Sequence, residues 1–539
     1  MFQAVKKAGK NSSVFRAIAW VLSWILSTDH KRVGILYFVA MFSFFSVAVS
    51  LGIMMRLELF QSGQQFFEPK TYNAMFTLHG VIMTFLFIVP GIPAIFGNFL
   101  LPLQLGAADV SMPRLNLASW YMYIIGAIMA VVSLFSNGGA PDGGWTFYAP
   151  YSIQTQTNVS LALVAAFTLG LSSIFTGMNF LTTIHRLKAP GMGWFDMPLF
   201  VWSLYATAWI QVLATPVVGI TLLLTVMERT LQIGIFNPSL GGDPVLYQHM
   251  FWIYSHPVVY VMILPAMGVI SDVLPVFARR HIFGYKAIAY STMAIAGSGY
   301  FVWAHHMFTS GISDVARLVF SFITFLVAIP TAIKIFNWLA TLYRGSIQID
   351  PPMLWALTFL FTFSIGGLTG LALGAVVTDI HLHDTYYVVG HFHYVMFGGG
   401  GVGMFAALHH WFPKITGRMY NFFHAKVSWF FFFVGFNMLY FPMLILGVMG
   451  MPRRYHDYLP QYDFLNSVAT IGSWIMVFGI LYMFANLLKG LLSGEKAGSN
   501  PWNAKTMEWE TQSPPVLHNF EKQPKMVHGP YDYEGEWVK

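Results

Sequence analysis

Two histidines separated by one phenylalanine stand in the stretch YYVVGHFHYV, which begins at Tyr386 and is otherwise apolar or aromatic. They are His391 and His393. Four more occupy equally apolar surroundings: His79, His256 and the adjacent pair His305 and His306. Imidazole is a common ligand for iron, copper and zinc, and in hydrocarbon it is costly without a partner. A single such residue is as readily explained by a hydrogen bond to a neighbouring helix; six in one apolar chain point to ligation. A helix turns ~100° per residue, so residues 391 and 393 project to nearly opposite sides and serve two centres, one on each face of a single helix. His305 and His306 diverge less, and slight distortion lets both reach one ion. A third imidazole would complete a site suited to copper or zinc, and His256 in FWIYSHPVVY is the candidate. Tyr260, four residues on, shares its helix face, while Pro257 frees a carbonyl and bends the helix. A phenol beside a histidine-bound metal can give both a proton and an electron.

The elements that must position these residues are membrane spans. The chain of 539 residues is 56% hydrophobic, 17% aromatic and only 9% charged, with a mean hydropathy of +0.60, outside the range of soluble domains. A span needs ~20 apolar residues. Twelve windows qualify: about 33–55, 77–101, 117–136, 159–184, 199–227, 247–274, 287–308, 318–343, 354–378, 386–411, 427–450 and 465–489. The expected fold is an all-α bundle of twelve transmembrane helices over 33–492, preceded by a segment 1–32 and followed by a polar tail 493–539. Placing both termini inside puts Lys6, Lys7, Lys10, Arg16, Lys31, Arg32 and most later cations on the inner side, and leaves few outside. The formal charge of +7 therefore reads as topology and not as nucleic-acid binding. VFRAIAWVLSWIL, near the start, has no cleavage site after it and reads as a retained interfacial helix. The tail reads as an extended strap on the inner face. Gly390 and Gly398 to Gly401 read chiefly as sites of close helix packing. With no cysteine, disulfides, cysteine-held iron-sulfur clusters and thiolate copper centres are excluded.

WIYSHPVVY, WAHHMFTSG and HDTYYVVGHFHYV together resemble the signatures of subunit I of the haem-copper oxygen reductases. The resemblance runs from STDHKRVGILY at Ser27 through MPRRYHDY at Met451 to the tail motif containing MEW, SPP and HNF. It implies that His79 and His393 are axial ligands of a low-spin haem, and that His391 is the sole protein ligand of a high-spin haem. His256, His305 and His306 would hold copper B, with Tyr260 bonded covalently to His256. Arg56 would face the low-spin haem's ring substituent, and Arg453 and Arg454, with Trp145 nearby, would hold haem propionates, as guanidinium forks suit carboxylates. His383 and Asp384 would bind magnesium, and Glu58 a calcium or sodium ion. Haem A is the expected haem.

Dioxygen reduction consumes protons, and the resemblance implies two routes to the buried site. One comprises Lys334, Thr331 and Ser271 and leads to Tyr260. The other starts at Asp109 and passes Asn98, Asn116, Asn179, Ser172 and Ser173. Many relatives carry glutamate two residues after the histidine matched by His256, but Val258 stands here. Tyr254 and Ser255 precede His256 instead, as in the subclass whose Tyr-Ser pair takes over that position, and the Tyr254 hydroxyl with water is the expected relay.

The resemblance implies a bacterial inner-membrane cytochrome c oxidase that reduces dioxygen and pumps protons. Cytochrome c would be its donor, through a dicopper centre in subunit II, with subunit III and other subunits as partners. Quinol oxidation is the alternative, but positions that contact quinone in such relatives fall on Val47, Leu51, Thr71 and Ala74. Tyr260 argues against nitric oxide reduction, and the lack of an internal repeat argues against a secondary transporter.

Overall fold

In lipid the backbone must satisfy its own N–H and C=O groups, and a helix does so within one segment. The computed structural model describes residues 13–136, 138–526 and 528–533; Lys6, Lys7 and Lys10 of the expected inner charge, and the end of the tail, lie outside them. Among the described residues no strand forms, only isolated bridges. Helix α1 (Ser13–Ile25) is short and apolar, with Trp20 and Val21 exposed. Among the described residues, ten helices are long and apolar enough to cross a membrane. These are α2 (His30–Glu58), α3 (Pro69–Gln104), α4 (Pro113–Phe135), α5 (Val159–Arg186), α6 (Leu199–Leu231), α7 (Pro244–Ala278), α9 (Asp314–Leu342), α10 (Pro351–Gly374), α12 (Phe422–Val448) and α13 (Pro460–Ser493).

The two remaining expected spans are interrupted. Helix α8 (Tyr285–Ser298) passes into two 3₁₀ turns, Gly299–Phe301 and Trp303–Met307, that carry the adjacent histidines. Helix α11 is helical over 386–416 but changes to a π-helix at Met396–Gly401. π-Turns also divide α3, at Ile82–Ile88 and Pro93–Gly97. Helix starts follow capping chemistry. Asp243, with Pro244 at the first helical position, accepts from the Val245 N–H of α7, and Thr385 accepts from the Tyr387 N–H of α11.

Helix α7 is central, buried along a whole 18-residue window, whereas α9 is mostly exposed. Helices α4 to α7 pack in sequence, as do α12 and α13. The last pair meets backbone to backbone: a Cβ on Gly435 would lie 2.2 Å from the Met476 nitrogen, and one on Gly472 2.6 Å from the Leu439 nitrogen. The tail is tied to the ends of the helices by hydrogen bonds. Lys31 Nζ donates to the Leu517 carbonyl and to Asn519 Oδ1, both at 2.9 Å, and Lys414 Nζ donates to the Thr511 carbonyl at 2.6 Å. Gln104 Nε2 donates to both Asp272 and the tail's Glu508, at 2.9 and 3.1 Å.

A methyl group at Gly435 has to push two helices apart, so Gly435→Ala is expected to destabilise the bundle by about 1–3 kcal/mol, the range for overpacking. A melting temperature in detergent equal to that of the parent protein would contradict this packing.

Candidate functional site

His256, His305 and His306 converge. Their ligand nitrogens lie within 4.8 Å of one another, the one such set of three or more His, Asp or Glu side chains among the described residues. His256 Nδ1 faces His306 Nε2 at 3.1 Å, and His256 Nε2 is buried without a hydrogen-bond partner. The distortion at the adjacent pair is larger than expected, because the chain there is 3₁₀ and breaks at Val302. It is held from outside. Trp252 stacks on His306 at 3.7 Å between ring centres. His305 Nδ1 donates to Thr324 Oγ1 at 3.1 Å, and that hydroxyl gives its own hydrogen to the Phe320 carbonyl. Tyr260 lies beside His256 with ring centres 4.9 Å apart, and Gly299 provides the room, since a Cβ there would be 2.5 Å from the Tyr260 ring.

His79, His391 and His393 share one device. Each Nδ1 faces a backbone carbonyl: Ala48 at 2.8 Å for His79, Gly366 at 3.0 Å for His391 and Val389 at 2.9 Å for His393. A carbonyl can only accept, so each Nδ1 carries the proton and Nε2 keeps the lone pair that iron requires. The two histidines of α11 diverge as their spacing predicts. His391 comes within electrostatic range of His305, and His393 within range of His79. Flat space beside these rings is kept open by glycine: Cβ atoms on Gly52 and Gly370 would lie 3.3 and 2.9 Å from His79 and His391.

The donors around these imidazoles suit haem. Arg56 is buried, and one of its nitrogens donates to Asn466 and Thr470 while Nε and Nη1 have no partner. That leaves two separate N–H groups, beside the Tyr386 phenol, for a polar ring substituent. On the outer side Arg453 Nε and Nη2 donate to Asp384 Oδ1 at 2.7 and 2.5 Å, and the Arg454 guanidinium lies against Gly144, next to Trp145 in the chain. Trp145 packs between Phe85, Phe251 and Trp252. His383 Nδ1 bonds Asp379 at 3.0 Å, with Asp384 3.9 Å from its Nε2. Burial pushes the Asp384 carboxyl up, but Arg453, His383 and Arg454 outweigh it and hold this carboxyl below its ordinary range. Glu58 accepts from the N–H groups of Gln65, Phe66 and Phe67. Glu228 makes the same bonds seven, eight and nine residues on, to Ile235, Phe236 and Asn237, so each of these carboxylates clamps the loop that follows its helix.

Lys334 is buried and donates to Thr292 Oγ1 at 3.0 Å. Ser271 lies close by through Trp338, whose indole donates to its hydroxyl at 3.0 Å, while Thr331 bonds the Val327 carbonyl in its own helix. Along the other route several polar atoms lack protein partners. Asn98 Oδ1, both side-chain atoms of Asn116, Asn179 Nδ2 and Ser255 Oγ are all buried and unpaired. A cavity of ≈ 30 Å³ is lined by Tyr37, Ser172, Ser173 and Tyr254. It has room for roughly two waters. Asp109 sits at the other end, in the loop before α4, where its carboxylate accepts from the Val110 N–H at 2.7 Å.

Sequence reasoning missed Trp252, Thr324, Asp379, Thr292 and Tyr37, whose hydroxyl bonds Ser119 and Ser172 at 3.0 and 3.1 Å. Asp379 stands four residues before His383, a same-face helical spacing that could have revealed it.

Residues 32–481 match the family model described as cytochrome C and quinol oxidase polypeptide I. Cytochrome c oxidase subunit 1 of Synechocystis sp. is 46% identical, over 95% of this chain and 93% of that one. The Thermostichus vulcanus subunit 1 is 44% identical over 96% and 94%, and that of Cereibacter sphaeroides 40% over 93% and 95%. Among solved structures, a heme-copper terminal oxidase dimer has a chain that shares the fold, with a TM-score of 0.71 at 21% identity over 87% of this chain and 85% of that one.

Burial pushes the Asp109 carboxyl up from 3.8 to about 6. The folded protein therefore favours the protonated acid, and that contribution to stability is complete below pH 3.8 and lost as pH rises through about 6. Asp109→Asn cannot ionise. Its melting temperature, measured against the parent from pH 4 to 7, is expected to gain on the parent as pH rises; a difference that stays constant would refute the shift.

Proposed function

The chain belongs to the cytochrome c and quinol oxidase polypeptide I family, and from that premise we propose that it is the catalytic subunit of a proton-pumping cytochrome c oxidase, which reduces dioxygen to water. One observation carries the reading. A single helix, α11, turns His391 toward the three-histidine cluster and His393 toward His79.

The family implies haems and copper B, and the side chains fit them. His79 and His393 would hold the low-spin haem, His391 the high-spin haem, and His256, His305 and His306 the copper. Bound there, these groups supply electron transfer and the chemistry of oxygen-oxygen cleavage. The chain's own part is to orient and to move protons. Backbone carbonyls fix the imidazole tautomers, and Thr324 and Trp252 fix the two rings of the 3₁₀ turn. Tyr260 holds its phenol beside the copper ligands. His256 Nδ1 is turned into the cluster, so its unpaired Nε2 is the nitrogen open to the proposed covalent link with Tyr260.

Haem A is the proposed haem, supported by the unpaired Nε and Nη1 of Arg56. Propionates would lie with Arg453, Arg454 and Trp145. Magnesium, which keeps several waters as ligands, would sit at His383 and Asp384, and calcium or sodium at Glu58, whose oxygens retain lone pairs. Electrons would come from cytochrome c through a dicopper centre in subunit II, because this chain has no cysteine to build one; subunit III completes the core. Apolar Val47, Leu51 and Ala74 speak against a quinol donor. The chain is a multi-pass membrane protein, and the distribution of Lys and Arg supports termini on the cytoplasmic side of a bacterial inner membrane. Protons would reach Tyr260 past Lys334, Thr331 and Ser271. Those entering at Asp109 would reach Tyr254 and Ser255 through the unpaired asparagines and Ser172 and Ser173.

Pyridine haemochrome analysis with metal counting on the purified complex is expected to return two haems A and copper; a colourless protein would end the reading. Tyr260→Phe should lose dioxygen turnover by at least ~100-fold, the scale of a lost proton donor, while low-spin haem absorbance stays. Tyr254→Phe, which keeps the ring and removes the hydroxyl, should lose both turnover and proton ejection in vesicles. Full ejection would remove Tyr254 from the route.

A further inference from the structure

The helix that packs against α7 beside Tyr254 carries a polar stripe in an apolar setting. Thr207, Gln211 and Thr215 follow one another at four-residue steps on α6 and so share one face. All three are at most 3% exposed. Thr215 lies within side-chain hydrogen-bonding reach of the Tyr254 hydroxyl. Gln211 Oε1 and Thr207 Oγ1 are buried with no partner in the protein. An amide oxygen stranded in this way is costly unless water satisfies it, and Gln211 has a place for water. It lines the ≈ 30 Å³ cavity that Ser172 and Ser173 bound on one side and Tyr254 on another.

We propose that Gln211 is a positioning residue of the proton route, its amide holding the water that joins the Ser172 and Ser173 wall of the cavity to the Tyr254 hydroxyl. The inference rests on the reading of Tyr254 as the relay and adds a residue that reading does not require. A carboxamide accepts through Oε1 and donates through Nε2, so it can orient a water in either direction of a hydrogen-bonded chain. It neither takes up a proton nor carries charge. Thr215 completes the arrangement by keeping the Tyr254 hydroxyl turned toward α6.

The test uses the whole purified complex in vesicles. Dioxygen turnover and protons ejected per electron are measured from pH 6 to 9 for Gln211→Met, which keeps the volume and removes the polar atoms, and for Gln211→Asn, which keeps the amide. Gln211→Met should retain its haem spectrum yet lose turnover roughly tenfold, the scale of one lost hydrogen bond. Its deficit should widen as pH rises and protons become scarce. Gln211→Asn should stay within about threefold of the parent, because a water can fill the missing methylene. Gln211→Leu replaces the methionine variant if that variant does not retain haem. Parent-like turnover and ejection in the apolar variant overturn the inference, as does an equal deficit in Gln211→Asn or a deficit flat across pH. Tyr254→Phe in the same vesicles separates the two ideas. If it is defective while Gln211→Met is normal, only the role of Gln211 fails; if it is normal, the relay reading fails.

Discussion

A polar atom inside this bundle has no solvent to turn to, and the arrangement of the site follows from how each one is satisfied. For His79, His391 and His393 the solution is the same. Nδ1 donates to a backbone carbonyl, which sets both the tautomer and the ring plane and sends the Nε2 lone pair inward. The device alone does not identify a ligand. His409 is fully buried, donates from Nδ1 to the Phe405 carbonyl four residues back, and has an unpaired Nε2. Its ring rests against Trp355 and Tyr420 instead of another imidazole. What separates the six histidines from this packing residue is convergence, three of them on one point and the other three spread along the two faces of α11.

Convergence in turn depends on irregular helix. His305 and His306 stand in one 3₁₀ turn that follows a break at Val302, with their rings 4.3 Å apart and both against His256. The π-turn at Met396–Gly401 follows directly after the two α11 histidines, and α3 changes to π within three residues of His79. Such departures concentrate at functional sites. Here they lie on the elements that carry imidazole, while α9, the most exposed of the long helices, is regular throughout.

This division explains what could be read in advance. Composition and window length were enough to recognise a helical membrane bundle, and the opposed projection of residues 391 and 393 followed from helical pitch alone. Three of the twelve expected spans are interrupted by 3₁₀ or π turns, because hydropathy does not distinguish α from 3₁₀ or π. Partners from remote sequence were also invisible. Arg56 is held by Asn466 and Thr470, more than 400 residues away, and Thr324 orients His305 from another helix. For Glu58 the resemblance implies an ion, and the structure adds the three backbone N–H groups from which its carboxylate accepts, a clamp repeated at Glu228.

The absence of a carboxyl group beside His256 alters the physics of the Asp109 route. With Val258 in that position, the described side chains between the loop acid and Tyr254 are amides and hydroxyls, and several are unpaired. Amides bind water firmly but do not ionise, so a proton moving past Asn98, Asn116 or Asn179 meets no group that can trap it and none that can store it. On the proposed route the carboxyl group stands at the entrance, at Asp109, and phenols follow at Tyr37 and Tyr254. The Lys334 route is built on the other principle, with an ionisable amine set in the helix and held by one hydroxyl, that of Thr292. Burying that amine is costly, and the cost is tolerable only if the charge is carried transiently or balanced from the metal side. On the proposed reading a neutral wire thus leads to Tyr254 and a chargeable relay to Tyr260, and the stripe on α6 borders the same cavity as Tyr254.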